Sequence, residues 1–120
     1  MRTVIVTGMA VLGAALGGEP SAQDNPVWGI GTGFASCDTF LMDAQSLYAG
    51  KHWIDGFWTG LNLNSSGNRT VGHSVGRTGI YGEIKKVCQE HPSKRLLEAA
   101  RDVYVMIGTE QAKGRRSSER

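Results

Sequence analysis

The chain has 120 residues, with 13 lysines and arginines against 11 aspartates and glutamates, and a formal net charge of +2. This length suits one domain, and so small a charge does not indicate a nucleic-acid partner. Two cysteines exclude a disulfide-dense scaffold and a four-cysteine zinc site, and 17 glycines without a three-residue period exclude collagen.

The first predicted element is a secretory signal peptide at residues 1–22. Arg2 precedes an uncharged stretch, residues 3–18, that is shorter than the roughly 20 apolar residues of a membrane-spanning helix. The small residues Ser21 and Ala22 follow, which is typical of a signal peptide cleaved after Ala22. The alternatives are a strand of a cytosolic domain and a retained anchor. Export predicts a periplasmic or secreted protein whose mature form has no membrane contact.

Cys37 and Cys88 are the two cysteines, and export would place them in an oxidising compartment. One disulfide between them would span 51 residues and stabilise the fold by about 4 kcal/mol in the chain-entropy model. The spacing excludes a C-x-x-C redox motif. Two unpaired buried thiols and a catalytic thiol are the alternatives, although no histidine stands out as the partner of a catalytic thiol.

Residues 23–35 form a predicted flexible lead-in that contains Trp28 and the sequence G-I-G-T-G. A nucleotide-binding loop is not supported there, because the sixth-position glycine, a preceding strand and a distal acid are all lacking. Ser36 can cap a first helix that ends near Gln45. Its apolar face consists of Cys37, Phe40, Leu41 and Ala44.

The second helix is predicted at residues 51–62. Its apolar face consists of Ile54, Phe57, Trp58 and Leu61. Gly56 and Gly60 lie four apart on an adjoining edge, and each lowers helix propensity by about 1 kcal/mol relative to alanine. Such a pair predicts that another helix packs closely against this edge.

Three large aromatic side chains of the second helix spread over a wide arc: Trp53, Phe57 and Trp58. Our first interpretation places them in the core, which requires that this helix be central. They are also the candidate partner-binding residues, and Trp53 above all is expected to help form an exposed patch.

The sequence predicts a long loop at residues 63–79. In a small domain, a loop of this length is usually functional or mobile. It contains two glycosylation sequons, at Asn64 and Asn68, to which we assign no role because the motif is common by chance. The third helix is predicted at residues 80–90 and shows its apolar face through Ile80, Tyr81, Ile84, Val87 and Cys88.

The fourth helix begins at His91-Pro92, because proline at the first helical position needs no amide donor. Its apolar face is Leu96, Leu97, Ala100, Val103, Tyr104 and Ile107, and Gly108 is expected to end it. Residues 111–120 form a basic, solvated tail. Since short amphipathic helices are unstable alone, residues 36–110 predict an all-α bundle of about four helices with one disulfide.

Two segments resemble known families. Cys37-Asp38-Thr39-Phe40-Leu41 resembles the opening of the HdeA/HdeB periplasmic acid-stress chaperones. The segment from Cys88 to Pro92 resembles the second-cysteine region of a wider group of small exported all-helical bacterial proteins. Type VI secretion immunity proteins in this group are similar in a Trp-x-x-Gly-aromatic-x-x-Gly helix, here Trp53 to Gly60. The resemblance covers about residues 36–107 and implies an exported, disulfide-bonded helical domain.

Two functions are consistent with this resemblance. The first is an exported binding or inhibitory, immunity-like protein that docks a toxin or another protein through the second helix and residues 63–79. The second is an acid-activated holdase of the HdeA type, in which carboxylates protonate, salt bridges fail and apolar faces bind an unfolded client. The carboxylates in question are Asp38, Asp43, Asp55, Glu83, Glu90, Glu98 and Asp102. Both functions are compatible with a homodimer.

The sequence offers little catalytic chemistry. No Ser-His-Asp arrangement, nucleotide loop or deaminase signature can be assembled, so we expect neither an enzyme nor a cofactor. His52 and Asp55 lie three apart on one helix and are the candidate metal ligands, with His73 or His91 as a third. Solvated or capping histidines are the preferred interpretation.

Overall fold

The computed structural model describes residues 26–118. A 3₁₀ turn at Thr32–Phe34 precedes four α-helices: α1 at Cys37–Leu41, α2 at Ala44–Asn64, α3 at Gly76–Glu90 and α4 at Leu96–Ser118. The described residues form no strand, only an isolated β-bridge between Ser36 and Arg95. The predicted all-helical bundle is confirmed, whereas the predicted signal peptide at residues 1–22 lies outside the described residues.

The core forms where the apolar faces of the four helices meet. Its buried members are Cys37, Phe40, Ile54, Trp58, Val71, Ile80, Ile84, Cys88, Leu96, Ala99, Ala100, Val103 and Ile107. Most of these positions follow the three- and four-residue spacing that the sequence predicts for each helix. No polar or charged side chain of the described residues is buried, so apolar contact is the main source of stability in this core.

Cys37 and Cys88 form the disulfide, which joins the first residue of α1 to the last turn of α3. Their Cα atoms lie 4.8 Å apart, within the usual range of about 4.4 to 6.8 Å. Both cysteines are fully buried. The Cys37 amide also donates to the Lys94 carbonyl at 2.7 Å, which fixes α1 against the start of α4. The predicted link between the first helix and the end of the third is confirmed.

The boundary between α1 and α2 differs from the prediction. α1 ends at Leu41, before the predicted end at Gln45, and α2 begins at Ala44 rather than at residue 51. Asp43 starts the second helix, because its Oδ1 accepts the Ser46 amide at 2.7 Å. Gly50 lies inside α2 and is buried. It packs so closely against the Phe40 ring that a Cβ would overlap the ring.

The last two helices are longer than predicted. α3 begins at Gly76, before the predicted Ile80. α4 begins at Leu96, so the predicted start at His91-Pro92 is wrong, and it continues through Gly108 to Ser118. The described part of the predicted basic tail, residues 111–118, is therefore helical, although none of it is buried. α4 has 23 residues, yet neither it nor any other described helix combines the length and the apolar composition that crossing a bilayer requires.

Candidate functional site

α2 separates two different surfaces. Gly50, Ile54 and Trp58 form its buried stripe. Trp53 and Phe57, four residues apart, lie on one side of this stripe, and Lys51 and Asp55 lie on the other side. A partner that lies along the exposed side of α2 can therefore contact both sets of side chains.

Trp53 and Phe57 form a stacked pair whose ring centroids lie 4.8 Å apart at an interplanar angle of 16°. The chain before α1 packs on this pair, because the Trp53 indole Nε1 donates to the Ile30 carbonyl at 3.2 Å. Gly33 lies so close to the indole that a Cβ would overlap it. Residues 30–33 of the predicted flexible lead-in therefore pack against α2.

The same segment exposes three large apolar side chains. Val27, Trp28 and Ile30 are 65%, 84% and 73% exposed. We call these three side chains, together with the partly buried Trp53 and Phe57, the aromatic patch. Exposed apolar surface of this kind marks interaction sites in many soluble proteins.

Trp58 has a different role from Trp53. It is only 7% exposed, and its ring meets Tyr104 edge to face at 5.0 Å. Its Nε1 donates to the Val71 carbonyl at 2.7 Å. Trp58 is therefore a core residue, as the first interpretation expects, and does not belong to an exposed patch with Trp53.

A groove of about 440 Å³ lies between α2, α3 and the loop that joins them; we call it the α2–α3 groove. Its lining residues are Ile54, Asp55, Trp58, Thr59, Val71, Gly72, His73, Gly76, Arg77, Ile80 and Tyr81. The buried side chains Ile54, Trp58 and Ile80 make its floor apolar, while charged and aromatic side chains lie at its rim.

Asp55, Arg77 and Tyr81 form a hydrogen-bonded cluster at this rim. Arg77 Nε donates to Asp55 Oδ1 at 3.1 Å and to the Tyr81 hydroxyl at 2.6 Å. Arg77 Nη2 donates to Asp55 Oδ2, and the Tyr81 hydroxyl donates to Asp55 Oδ1. The cluster thus fixes α2 against the first turns of α3.

The cluster shifts the pKa values of its members. Partial burial raises the pKa of Asp55, but the hydrogen bonds from Arg77 and Tyr81 outweigh it and hold this pKa below its usual range. Burial and the hydrogen bond to Asp55 raise the pKa of Tyr81. At neutral pH the cluster therefore contains an ionised carboxylate, a neutral phenol and a charged guanidinium.

Two lysines add positive charge beside the cluster. Lys51 Nζ lies 5.4 Å from the centroid of the Tyr81 ring, and Lys85 follows Tyr81 by one turn on the same side of α3. Within residues 26–118, neither lysine forms an ion pair with a carboxylate. The charge of Arg77 is matched by Asp55, so the two lysines make the surface beside the rim positive, although neither lines the groove itself.

Polar side chains fix the loop between α2 and α3. Asn62 Oδ1 accepts from the Val71 amide at 3.2 Å and from the Tyr104 hydroxyl at 2.8 Å, and its Nδ2 donates to the Val71 carbonyl at 3.2 Å. Gln111 Oε1 accepts from Asn68 Nδ2 at 3.3 Å. These bonds hold the loop at the edge of the groove.

A second groove, of about 700 Å³, lies between this loop, α3 and the last turns of α4. Val75, Met106 and Ile107 contribute its apolar surface, whereas Glu83, Glu110 and Arg115 contribute charges of both signs. The mixed charge favours no particular ligand.

The glycine pair of α2 does not have the predicted packing role. Within residues 26–118, no atom outside the helix backbone lies within 4 Å of a Cβ built on Gly56 or Gly60. Among the described residues, the predicted close approach of another helix at this edge is therefore wrong, because the pair faces away from the bundle. Gly50 has that role instead, against Phe40 and Leu96.

The candidate metal ligands are only partly brought together. His52 Nδ1 lies 3.9 Å from Asp55 Oδ2, but the carboxylate is already bound by Arg77 and Tyr81. His73 lines the groove, and His91 is at the C-terminal cap of α3. Residues 26–118 contain no group of three or more His, Cys, Asp or Glu side chains that could hold a metal ion.

Comparison of the chain with family models, curated proteins and solved structures finds no match. The resemblance to acid-stress chaperones and immunity proteins therefore stays a prediction. The function has to be argued from the aromatic patch, the α2–α3 groove and the contacts that fix them.

Proposed function

We propose that the protein is an exported, immunity-like binding or inhibitory protein that docks on another protein through the aromatic patch. The observation that supports this most is the 84% exposure of Trp28. Tryptophan is among the residues that contribute most to interfaces, because its large ring is desolvated on binding. Neighbouring Val27 and Ile30 would enlarge the area that a partner covers.

The anchoring of the patch supports the same function. The hydrogen bond from Trp53 to Ile30 and the close contact at Gly33 hold the segment on α2 before any partner arrives. A preorganised surface loses less conformational entropy on binding than a free chain does. Trp28 lies two residues before Ile30, so it is presented next to an anchored position of the chain.

The acid-activated holdase has weaker support. No described carboxylate is buried, so protonation does not place or release a charge inside the core. Among the described ion pairs, Arg77–Asp55 joins residues 22 apart in the chain and Lys94–Asp102 joins residues eight apart. Glu83 and Glu110 pair within their own helices. Exposed pairs of this kind contribute about 0–1 kcal/mol each, which is small beside the disulfide.

Photocrosslinking tests the proposed function. A photoreactive phenylalanine analogue in place of Trp28 should give one discrete protein adduct when the producing cells are irradiated. The matched control places the same analogue at Val105, which is 60% exposed on α4 and lies outside the patch. An absent adduct at residue 28, or the same adducts at residue 105, would reject the aromatic patch as the docking surface.

A further inference from the structure

The charged lining residues of the α2–α3 groove, Asp55 and Arg77, match each other, whereas the surface next to the groove is positive. Asp55 is the one carboxylate among its lining residues, and Arg77 already binds it through two hydrogen bonds. The positive charges of Lys51 and Lys85 are not matched by any described carboxylate. A cationic rim above an apolar floor concentrates ligands of opposite charge, since the low-dielectric wall weakens solvent screening.

The geometry around Tyr81 brings these charges onto one short stretch of surface. Arg77, Tyr81 and Lys85 follow one another at intervals of four residues on α3 and so share one side of that helix. Lys51 approaches the Tyr81 ring from α2 at 5.4 Å, and the Arg77 guanidinium lies 5.6 Å from the same ring. The rim thus offers cations from two helices beside one aromatic ring.

We infer that the α2–α3 groove binds an acidic segment of the protein partner. One aliphatic side chain of that segment lies on the floor formed by Ile54, Trp58 and Ile80, and its carboxylates face Lys51 and Lys85. The inference rests on the proposed function for the existence of a partner, and it adds the chemistry by which a second surface recognises it. Because the groove and the aromatic patch flank α2, one partner can reach both.

An acidic polypeptide suits this groove better than a nucleic acid. Two unmatched lysines neutralise few phosphates, whereas binding of a nucleic-acid backbone depends on many cations along a track. The other cluster of basic residues, Lys113, Arg115 and Arg116, is on the last turns of α4 rather than beside Tyr81. The apolar floor also has the surface that an aliphatic side chain requires.

A labelled peptide of aspartate and glutamate residues with one central leucine serves as the probe. Its affinity for the oxidised protein, measured by fluorescence anisotropy, should fall as salt is added, because exposed charges are screened. Replacing both lysines, Lys51→Gln with Lys85→Gln, should weaken binding by about tenfold. Amide chemical-shift changes should map to the parts of α2 and α3 that line the groove.

Lys86→Gln is the matched control. Lys86 is adjacent to Lys85 in the chain but lies on the outer side of α3, where it pairs with Glu83 at 3.7 Å. Its replacement should change the peptide affinity by less than about twofold. Equal weakening by Lys86→Gln, equal binding of a lysine-for-acid version of the peptide, or equal competition by an oligothymidylate would overturn the inference.

The experiments can reject the proposed function and the acidic-segment inference independently of each other. If the peptide does not bind but residue 28 still crosslinks to one protein, the acidic-segment inference is rejected and the proposed function stands. If the peptide binds at the groove while residue 28 gives no adduct, the aromatic patch is rejected as the docking surface.

Discussion

The two ends of the bundle are held together in different ways. At the disulfide end, Cys37, Phe40, Cys88 and Leu96 are all fully buried, and a covalent bond joins α1 to α3. At the loop end, polar side chains such as Asn62 hold the chain by single hydrogen bonds, each of which contributes only about 1 kcal/mol net. The disulfide end thus combines a covalent bond with fully buried side chains, while the polar contacts of the loop end shape the α2–α3 groove.

Of the changes considered, removal of the disulfide should lower the free energy of unfolding most. Replacing both cysteines, Cys37→Ser with Cys88→Ser, should lower the free energy of unfolding by about 4 kcal/mol, because the unfolded chain is no longer closed over 51 residues. Urea unfolding of the oxidised protein and of the variant measures the difference. An unchanged urea midpoint would show that packing alone supports the disulfide end.

The same substitution at two glycines of α2 should have opposite effects. Gly50→Ala should destabilise the protein by about 1–3 kcal/mol, because the added methyl overlaps the Phe40 ring at the disulfide end. Gly56→Ala should stabilise it by up to about 1 kcal/mol, because nothing lies within 4 Å and alanine favours the helix. Thermal unfolding measures both, and shifts of the same sign would contradict the packing described for α2.

Asn62→Ala tests the loop end. Loss of its bonds to Val71 and Tyr104 should destabilise the protein by about 1–3 kcal/mol. Hydrogen exchange at the Val71 amide should speed up, while exchange at the Cys88 amide changes far less. Asn64→Ala is the matched control, since the Asn64 side chain bonds only the Gly60 carbonyl. Equal effects of the two substitutions would mean that Asn62 does not fix the loop.

The smallest expected effect is the pH dependence of the stability that Asp55 contributes. Because the folded pKa of Asp55 is depressed, its contact with Arg77 and Tyr81 stabilises the protein above the ordinary aspartate pKa of about 3.9. This contribution, at most about 1 kcal/mol at a partly exposed pair, is lost as the pH falls further, through the folded pKa.

The stability difference between wild type and Asp55→Asn should therefore stay constant down to about pH 4 and then shrink. Urea unfolding at a series of pH values measures it. A difference that stays the same between about pH 5 and pH 2 would show that the pKa is not depressed. Binding of an aggregation-prone client at about pH 2 by the wild type would revive the holdase.

Much of the fold is predictable because each helix has its own periodicity. Ile80, Ile84 and Cys88 repeat at four-residue intervals, and all three are buried in α3. The start of α2 was missed because its buried residue Gly50 has no side chain to extend the apolar pattern. A signal was available, since Asp43 is a favoured cap three residues before Ser46.

The candidate site is less predictable because it depends on tertiary contacts. Arg77 and Tyr81 lie 22 and 26 residues after Asp55, and no local pattern links such distant positions. Their meeting depends on the course of the loop, which the bonds of Trp58 and Asn62 to Val71 determine. Spacing alone also does not show which side of α2 faces outward, which is why Gly56 was misassigned.

The position of the disulfide has a consequence for proteolysis. The bond closes a ring of chain from residue 37 to residue 88, which contains α1, α2 and α3 and leaves α4 outside. A protease that cuts once inside the ring produces two fragments that stay covalently linked. A cut at residues 91–95 instead leaves α4 attached only by non-covalent contacts, such as the packing of Val103 and Ile107 and the hydrogen bond from Tyr104 to Asn62. The helix outside the ring is thus the one that a single nick can release.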